Sequence, residues 1–313
     1  MTNEWVVISP ERSKRPEDYV HSDDKKDDGS DCPFCPGGAA LQTVVHNAGT
    51  QNVFVIPNKY PAFGSFDDRV ISEGEEFYFS TPSRGAHEVI IFKPHKMSFG
   101  EMPIGLIREI FETYKKRLDF YENNPEVEHA MIIHNHGKQA GASIAHPHSQ
   151  LMASSVVPPI IKKELDGTRD YWLKTGGCVF CDILRNEENA DVRVVYQNKY
   201  FLAVTAFAAR FPFETWVIPY EHKANFSDID ETEIEALADV MKHILGKLDQ
   251  KLINPDFNFW IHSIPYRQIQ ANPYYHWHLE IAPRLSTYGG YELGAGLVVD
   301  VVSPESAARF LKD

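Results

Sequence analysis

Two long stretches of the chain place apolar residues at helical spacing. In residues 103–121 and again in residues 230–252, apolar side chains recur every three or four positions, so they share one face of a helix. These positions are Ile107, Ile110, Phe111, Tyr114, Leu118 and Tyr121 in the first stretch, and Ile234, Leu237, Ala238, Met241, Leu245, Leu248 and Leu252 in the second. Each pattern predicts an amphipathic helix that buries this face against a neighbouring layer.

Short apolar runs predict β-strands around these two helices. The runs cover residues 5–9, 44–57, 76–80, 88–92, 130–134, 215–219 and 257–262. Residues 21–31, by contrast, read HSDDKKDDGSD and contain only polar residues and glycine. This stretch predicts an exposed loop.

The second half of the chain repeats the order of features in the first half. Each half has a C-x-x-C pair, a strand that runs into His-Lys, a long helix, and a further strand followed by an H-x-H motif. Such ordered matches indicate duplicated domains. They predict an α+β fold of two similar lobes, each an antiparallel sheet with its long helix packed on one face. We expect the lobes, residues 1–157 and 158–313, to share one continuous core because the chain has no obvious linker beyond residues 158–175.

Charge and hydrophobicity exclude several classes of protein. The 313 residues carry a net charge of −13, which argues against a general nucleic-acid binder, since such a protein needs a basic face. No apolar run approaches the length of a membrane span, and the first residues contain no secretory signal. We therefore expect a cytoplasmic protein without a membrane or nucleic-acid partner.

The four cysteines form two C-x-x-C pairs, which in a chain without an export signal favour metal ligation over disulfides. A redox pair is the alternative for a single C-x-x-C. In each half, a strand-end histidine and the first histidine of H-x-H can complete a closed, structural Cys₂His₂ site, and these donors suit zinc. The predicted sites are Cys32, Cys35, His95 and His146, and Cys178, Cys181, His222 and His276. His87 and His278 are rival ligands, although each is more typical of a structural histidine.

Residues 135–150, with sequence NHGKQAGASIAHPHSQ, combine a glycine-rich loop with two histidines and a glutamine. In an extended chain His146, His148 and Gln150 share one face, so a metal-held imidazole, a free imidazole and an amide donor point the same way. Gly141 and its small neighbours let backbone N–H groups approach a phosphate. A turn followed by an edge strand with incidental histidines is the alternative interpretation.

The second half lacks this combination of residues, because Trp277 and Glu280 stand where the first half has Pro147 and Gln150. A carboxylate at that position opposes an anionic phosphate, so we expect the second copy to be structural. Near the start of the chain, Arg12, Lys14 and Arg15 lie between two prolines. They can clamp phosphate oxygens or form a solvated basic turn.

The combined motifs resemble the galactose-1-phosphate uridylyltransferase family, a two-lobed branch of the histidine-triad superfamily. The resemblance runs from about residue 4 to the end of the chain and includes N-x-G, G-x-S-x-x-H-P-H-x-Q, the upstream C-x-x-C and S-P-x-R-x-x-R-P. It implies two histidine-triad-like lobes, a homodimer, and a ping-pong transfer of UMP from UDP-glucose to galactose 1-phosphate. The second histidine of HPH, His148, becomes the nucleophile that carries the nucleotide.

The resemblance also implies roles for other residues. Gln150 holds a phosphate oxygen, Asn58 lies near the base and ribose, and Glu292 contacts the hexose. The remaining implied substrate contacts are Arg12, Arg15, Asn135, Gly141, Ser143 and Tyr291. The structural zinc ligands of the first site match Cys32, Cys35, His95 and His146, which adds to the expectation of two zinc ions per chain.

The C-terminal segment departs from the uridylyltransferase pattern. Gly290-Tyr291-Glu292 is present, but residues 286–289 read STYG and Val298 stands where the family has a glutamine. This segment is more similar to the ADP-glucose phosphorylase-like branch, which has the same covalent chemistry but can use phosphate as the acceptor. A third hypothesis, from a different class, is a zinc-stabilised module that binds nucleotides without turning them over.

Overall fold

The computed structural model describes residues 6–8, 32–45, 47–64, 73–75, 78–80 and 84–312. Its centre is a nine-stranded antiparallel sheet in the order β2-β5-β7-β6-β11-β12-β10-β9-β8. The first-half strands of this sheet are β2 (Val53–Pro57), β5 (Gly85–Phe92), β6 (His129–His136) and β7 (His148–Ser154). The second-half strands are β8 (Val194–Gln197), β9 (Phe201–Thr205), β10 (Thr215–Pro219), β11 (Phe257–His262) and β12 (His278–Pro283).

The strand order confirms the internal duplication. The two halves meet where β6 pairs with β11, with Asn135 opposite Asn258. Outward from this junction, the first half runs β6, β7, β5, β2 and the second half runs β11, β12, β10, β9. The strand that starts with the second histidine of each H-x-H motif therefore holds the same place in both halves: β7 starts at His148 and β12 starts at His278.

Both predicted long helices are present, as α1 (Ile104–Glu122) and α4 (Glu231–Leu252). They bury the predicted faces in one hydrophobic core that also takes in side chains from both halves of the sheet. Ile110 of α1 and Leu245 of α4, for example, are fully buried in this core. The α+β fold class and the shared core are thus confirmed.

Two helices that the sequence did not predict cover the opposite face of the sheet over the second half. They are α2 (Pro159–Thr175) and α3 (Val179–Ala190). Phe180 and Leu184 of α3 pack on Leu202, Val204 and Ile218 of the sheet. In the first half this face has no counterpart of these helices among the described residues, and the N-terminal cysteine turn lies there instead.

The remaining elements are short. They are β1 (Val6–Ile8), β3 (Glu73–Glu75), β4 (Tyr78–Ser80), α5 (Gly290–Ala295), β13 (Val298–Asp300) and α6 (Pro304–Lys312). Strand β1 pairs in parallel with β13, so the two ends of the described chain lie together. The prediction of a strand over residues 44–57 was wrong before Val53, because a 3₁₀ turn and an irregular loop precede β2. Within the described ranges, every helix is too short or too polar to cross a membrane.

Candidate active site and metal centres

The first cysteine turn meets two histidines beside the start of β7. Cys35 Sγ lies 3.2 Å from His95 Nδ1 and 3.6 Å from His146 Nδ1, and Cys32 Sγ lies 3.6 Å from His146 Nδ1. Ligands bound 2.0–2.3 Å from a tetrahedral metal are separated by roughly 3.3–3.7 Å, so these distances fit the edges of such a site. His146 Nε2 donates to the Phe92 carbonyl at 2.7 Å, which leaves Nδ1 unprotonated and able to bind a metal.

A second cluster of the same composition lies in the second half. Cys181 Sγ lies 3.4 Å from His222 Nδ1 and 3.6 Å from His276 Nδ1, while Cys178 Sγ lies 3.9 Å from His276 Nδ1. As in the first cluster, Nε2 atoms donate to carbonyls. His222 Nε2 donates to the Asn272 carbonyl at 2.7 Å, and His276 Nε2 donates to the Pro219 carbonyl at 3.0 Å. Both clusters therefore present four inward-facing donors that fit a metal ion.

His148 starts β7 next to the first cluster but does not belong to it. Its Nδ1 lies 2.9 Å from the His146 carbonyl. Since a carbonyl only accepts, Nδ1 carries the proton and Nε2 keeps its lone pair. Burial lowers the pKa of His148 below its ordinary value, and the bond to the His146 carbonyl only partly opposes this shift. The side chain is therefore a neutral imidazole at pH 7 with its tautomer fixed.

The ring of Phe34, between the two cysteines, holds the other side of this imidazole. The two ring centroids are 5.3 Å apart in an edge arrangement. Phe34 is itself anchored in a small cluster with Ile56, Val89 and Ile91 on the same sheet face. The cysteine turn thus both offers ligands to a metal and orients His148.

Gln150 follows on the same face of β7 and contacts a residue to which the sequence gave no catalytic role. Its Oε1 lies 2.6 Å from His87 Nε2, and the Nδ2 atom of Asn58 lies 3.1 Å from the same nitrogen. The register of β5 and β7 causes this contact. His87 lies opposite Met152, and Gln150, two residues before Met152, points to the same face of the sheet. The structure therefore places Asn58 and Gln150 next to the same ring nitrogen of His87.

The glycine-rich loop between β6 and β7 is fixed by two residues of the second half. Asp256 accepts from the Gln139 backbone N–H at 2.6 Å, and a Cβ on Gly137, whose φ is +80°, would lie 1.9 Å from the Asp256 carboxylate. Asn258 Nδ2 donates to the Ala140 carbonyl and to Asn135 Oδ1, each at 2.8 Å. Because Asn135 uses its oxygen here, its amide donor is left for another partner.

Two residues of this loop lie at the protein surface. Gly141 and Ser143 are exposed on the segment that leads to His146, and Gly141 has a φ of +86° that few other residues adopt. Their contacts with a phosphate stay predictions.

The second half has an equivalent histidine, His278, but a glutamate contacts its Nε2 atom. His278 Nδ1 lies 3.2 Å from the His276 carbonyl, as in the first half, but its Nε2 lies 3.3 Å from Glu280 Oε1. A carboxylate oxygen thus occupies the space from which a phosphorus atom would approach. Phe180 of α3 also covers the His278 ring, with centroids 4.5 Å apart.

Further contacts of a histidine and an arginine with carboxylates complete a buried charge network here. His262 Nδ1 donates to Glu164 at 2.8 Å, and Arg210 contacts both Glu280 and Glu214. Burial alone lowers the pKa of Arg210, but Glu280 and Glu214 outweigh it and hold its pKa well above the ordinary value.

Other predicted substrate contacts lie apart or outside the described chain. Arg12 and Arg15 lie outside the described residues. Tyr291 is exposed, whereas Glu292 accepts from the Gly289 N–H at 2.9 Å and so caps α5. Glu292 also lines a cavity of about 670 Å³ whose lining does not include His148 or Gln150. Hexose binding by Tyr291 and Glu292 stays a prediction.

Comparison with known proteins decides the family. The sequence model described as galactose-1-phosphate uridyl transferase, N-terminal domain, matches residues 1–158. The model of the C-terminal domain matches residues 164–301. The chain belongs to the galactose-1-phosphate uridyl transferase family.

Relatives within this family include two kinds of enzyme. ADP-glucose phosphorylase of Arabidopsis thaliana is 34% identical over 100% of this chain and 91% of its own length. Galactose-1-phosphate uridylyltransferase of Thermotoga maritima is 27% identical over 100% of this chain and 96% of its own length. The resemblance predicted from the motifs is confirmed, and members of this family are transferases that act on nucleotide sugars.

Solved structures of the family agree with the fold. The crystal structure of an ADP-glucose phosphorylase from Arabidopsis thaliana with bound ADP-glucose has a TM-score of 0.83 at 31% identity, covering 100% of this chain and 96% of the other. A structure of uridylyltransferase has a TM-score of 0.80 at 28% identity, covering 94% and 93%.

Proposed function

We propose that the protein is a nucleotidyltransferase that works by ping-pong transfer through a nucleotidyl-His148 intermediate. The observation that carries this proposal is the bond from His148 Nδ1 to the His146 carbonyl. It leaves Nε2 of a neutral imidazole with a lone pair, and neutral imidazole is both a good nucleophile and a good leaving group. Among the described residues, no hydrogen-bond partner contacts Nε2.

In the first step, His148 Nε2 attacks the α-phosphorus of a nucleoside diphosphate sugar. The N–P bond forms while the P–O bond to the β-phosphate breaks, and the sugar 1-phosphate leaves with the electron pair of that bond. The imidazole becomes a cation that keeps its proton on Nδ1, where it is hydrogen-bonded to the His146 carbonyl. In the second step an oxygen of the acceptor phosphate attacks the same phosphorus, the N–P bond breaks, and neutral His148 is restored.

Amide and backbone donors bind the phosphates in this proposal. Gln150, Asn135 and Ser143 contact non-bridging oxygens, together with backbone N–H groups near Gly141. Such donors act in a partly dry site, where removal of one typically costs roughly 10²–10³ in rate. Gln150 cannot protonate a leaving group as a third histidine could, which favours transfer over hydrolysis. We assign Arg12 and Arg15 to the phosphates, Asn58 to the nucleoside, and Tyr291 and Glu292 to the hexose.

We assign zinc to both Cys₂His₂ clusters, two ions per chain. Thiolates and imidazoles at these separations suit zinc better than hard cations, and four protein donors make each site closed and structural. When bound, the first ion fixes His146 and thereby the carbonyl that orients His148. The chemistry itself is carried by the side chains of the chain.

Two donor and acceptor pairs are candidates. UDP-glucose with galactose 1-phosphate follows from the HPH motif and the uridylyltransferase relatives. ADP-glucose with phosphate is favoured by the residues around Gly290-Tyr291-Glu292, by Val298, and by 34% identity to an ADP-glucose phosphorylase. We propose a homodimer and a lobe boundary between residues 157 and 158, and the cytoplasmic location stays a prediction.

Exchange of label tests the proposal. UDP-glucose or ADP-glucose is incubated with radiolabelled glucose 1-phosphate, and the label that enters the nucleotide sugar is measured. We expect exchange with at least one donor, and a stoichiometric nucleotidyl-protein when the acceptor is removed. His148→Gln should abolish both signals, because the attacking lone pair is lost, while circular dichroism and metal content stay unchanged.

His243→Gln is the matched control, since His243 stacks on Tyr196 of the edge strand β8, six strands away from β7 in the sheet. It should exchange like the parent protein. Full exchange in folded His148→Gln would refute the nucleophile assignment. A parent protein that binds nucleotide sugars but never exchanges label would instead support the binding module.

A further inference from the structure

We propose that His87 is a positioning residue that turns the Gln150 amide so that its NH₂ group, and not its oxygen, faces the transferred phosphoryl group. The inference deepens the proposed nucleotidyl transfer and rests on it. His87 lies on β5, is 9% exposed, and contacts three groups of the site face. Those groups are the Ala62 backbone N–H, the Asn58 amide and the Gln150 amide.

The Ala62 contact fixes the tautomer of His87. The Ala62 backbone N–H donates to His87 Nδ1 at 3.1 Å. A backbone N–H cannot accept, so Nδ1 must be the unprotonated nitrogen of a neutral ring. The single ring proton therefore lies on Nε2, and His87 is a donor towards the strand that carries Gln150.

The fixed tautomer then decides which end of the Gln150 amide faces His87. The contact between His87 Nε2 and Gln150 is 2.6 Å long. Because Nε2 is the donor, the Gln150 atom in this contact must be an acceptor, which is the amide oxygen Oε1. The opposite orientation would place two N–H groups against each other. Gln150 Nε2, with two protons, consequently points away from His87 and into the site, where the described residues supply no partner.

The Asn58 amide lies beside this contact but forms no hydrogen bond to a protonated Nε2, because its Nδ2 atom can only donate. Asn58 Oδ1 accepts from the Tyr60 backbone N–H at 2.9 Å, which turns Asn58 Nδ2 to within 3.1 Å of His87 Nε2. Nε2 has one proton in the ring plane, and the shorter contact shows that it goes to Gln150. Asn58 Nδ2 is therefore held in place but keeps its donors for another acceptor.

Orientation of this amide matters because glutamine has a donor end and an acceptor end of the same shape. A phosphoryl oxygen is attracted to the NH₂ end and repelled by the carbonyl end. Without His87, both orientations are accessible to Gln150, and part of the population presents oxygen to oxygen. His87 thus acts through Gln150 and requires no contact with the substrate.

A double-mutant cycle tests the coupling. His87→Leu should lower kcat by about 10- to 100-fold, at most the cost of losing the donor itself, with a smaller change in KM. In a Gln150→Leu background, His87→Leu should cause no further loss, because the amide that it orients is absent. His87→Gln should recover most of the activity, since its Nε2 reaches the same point and can donate. Multiplicative losses in the double variant would overturn the proposal.

A spectroscopic arm separates this inference from the proposed function. Long-range ¹H–¹⁵N correlation of ¹⁵N-histidine protein, with His87→Gln to assign the signal, should show a neutral His87 protonated at Nε2. An Nδ1-protonated or cationic His87 would overturn the assignment even if the enzyme transfers nucleotides as proposed. If no substrate exchanges label, the proposed function fails while this measurement still decides the orientation of the side chains.

Discussion

Glu280 occupies the position in the second half that Gln150 has in the first. Arg210 pairs with this carboxylate and neutralises its charge. A buried carboxylate is costly in the protein interior unless it is paired. Arg210 contacts Glu280 and Glu214, both almost fully buried. Burial raises the pKa of Glu280, but the charges of Arg210 and His262 outweigh burial and hold that pKa below its ordinary value. The second H-x-H motif is therefore stabilised by charge pairing, and we propose that it is structural and not a second active site.

Replacement of Arg210 should destabilise the fold strongly. Arg210→Leu leaves two buried carboxylates without their cation, and breaking a buried ion pair from one side costs about 3–5 kcal/mol. We expect this loss in the free energy of unfolding measured with urea. Arg169→Leu is the control, because Arg169 pairs with Asp166 on an exposed part of α2 and should cost below about 1 kcal/mol. Equal losses in the two variants would show that the network is not stabilising.

Residues of the site differ in how far the sequence could reveal them. His148 and the metal ligands follow from motifs, because C-x-x-C and H-x-H fix their geometry within a few residues. His87, Asn258 and Arg210 act across strands, and their partners depend on which strands pair and in which register. A single sequence does not contain that information, so the interpretation of His87 as a structural histidine could not name Gln150 as its partner.

At the level of elements, α4 is the helix with the most complete start signal. Asp230 accepts from the Glu233 backbone N–H at 2.9 Å, and Glu233 accepts from the Asp230 backbone N–H at 2.8 Å, which forms a capping box. Glu233 also pairs with Lys223. Since α4 packs on α1 in the shared core, the stability of its first turn affects both halves.

Loss of this cap should have a measurable but modest effect. Asp230→Ala removes the side-chain acceptor for one helix-end N–H group and should lower the free energy of unfolding by about 1 kcal/mol. Glu231→Ala, in the same turn and exposed, is the control and should change stability by less, since it retains the box. The urea midpoints of the two variants provide the comparison, and an Asp230→Ala protein as stable as the control would contradict the role of the cap.

Helices α1 and α4 could be predicted because most of the residues that they bury are apolar. Helix α2 could not, since the residues it buries are Ile161, Glu164 and Thr168, and two of these three are polar. Glu164 is accommodated by bonds from His262 and Tyr275, which are distant in sequence. Periodicity reports apolar burial alone, so a helix that buries a hydrogen-bonded carboxylate escapes detection.

Across the whole molecule, the two Cys₂His₂ clusters lie at equivalent places in the two halves. Each one joins a cysteine turn to the histidine after β5 or β10 and to the first histidine of H-x-H before β7 or β12. Each therefore ties two neighbouring strands of the nine-stranded sheet at one end. The difference is that the first cluster also supports Phe34 and the His146 carbonyl, both of which contact His148.

Removal of each metal should consequently have a different effect on activity. Elemental analysis of the parent protein should give two zinc ions per chain, and chelation should lower its melting temperature. Cys178→Ser with Cys181→Ser should retain one ion and lose stability, yet the folded fraction should still form nucleotidyl-His148. Cys32→Ser with Cys35→Ser should also retain one ion but lose this labelling, because the carbonyl that sets the His148 tautomer is no longer fixed. Equal labelling by the two folded variants would contradict this division of roles.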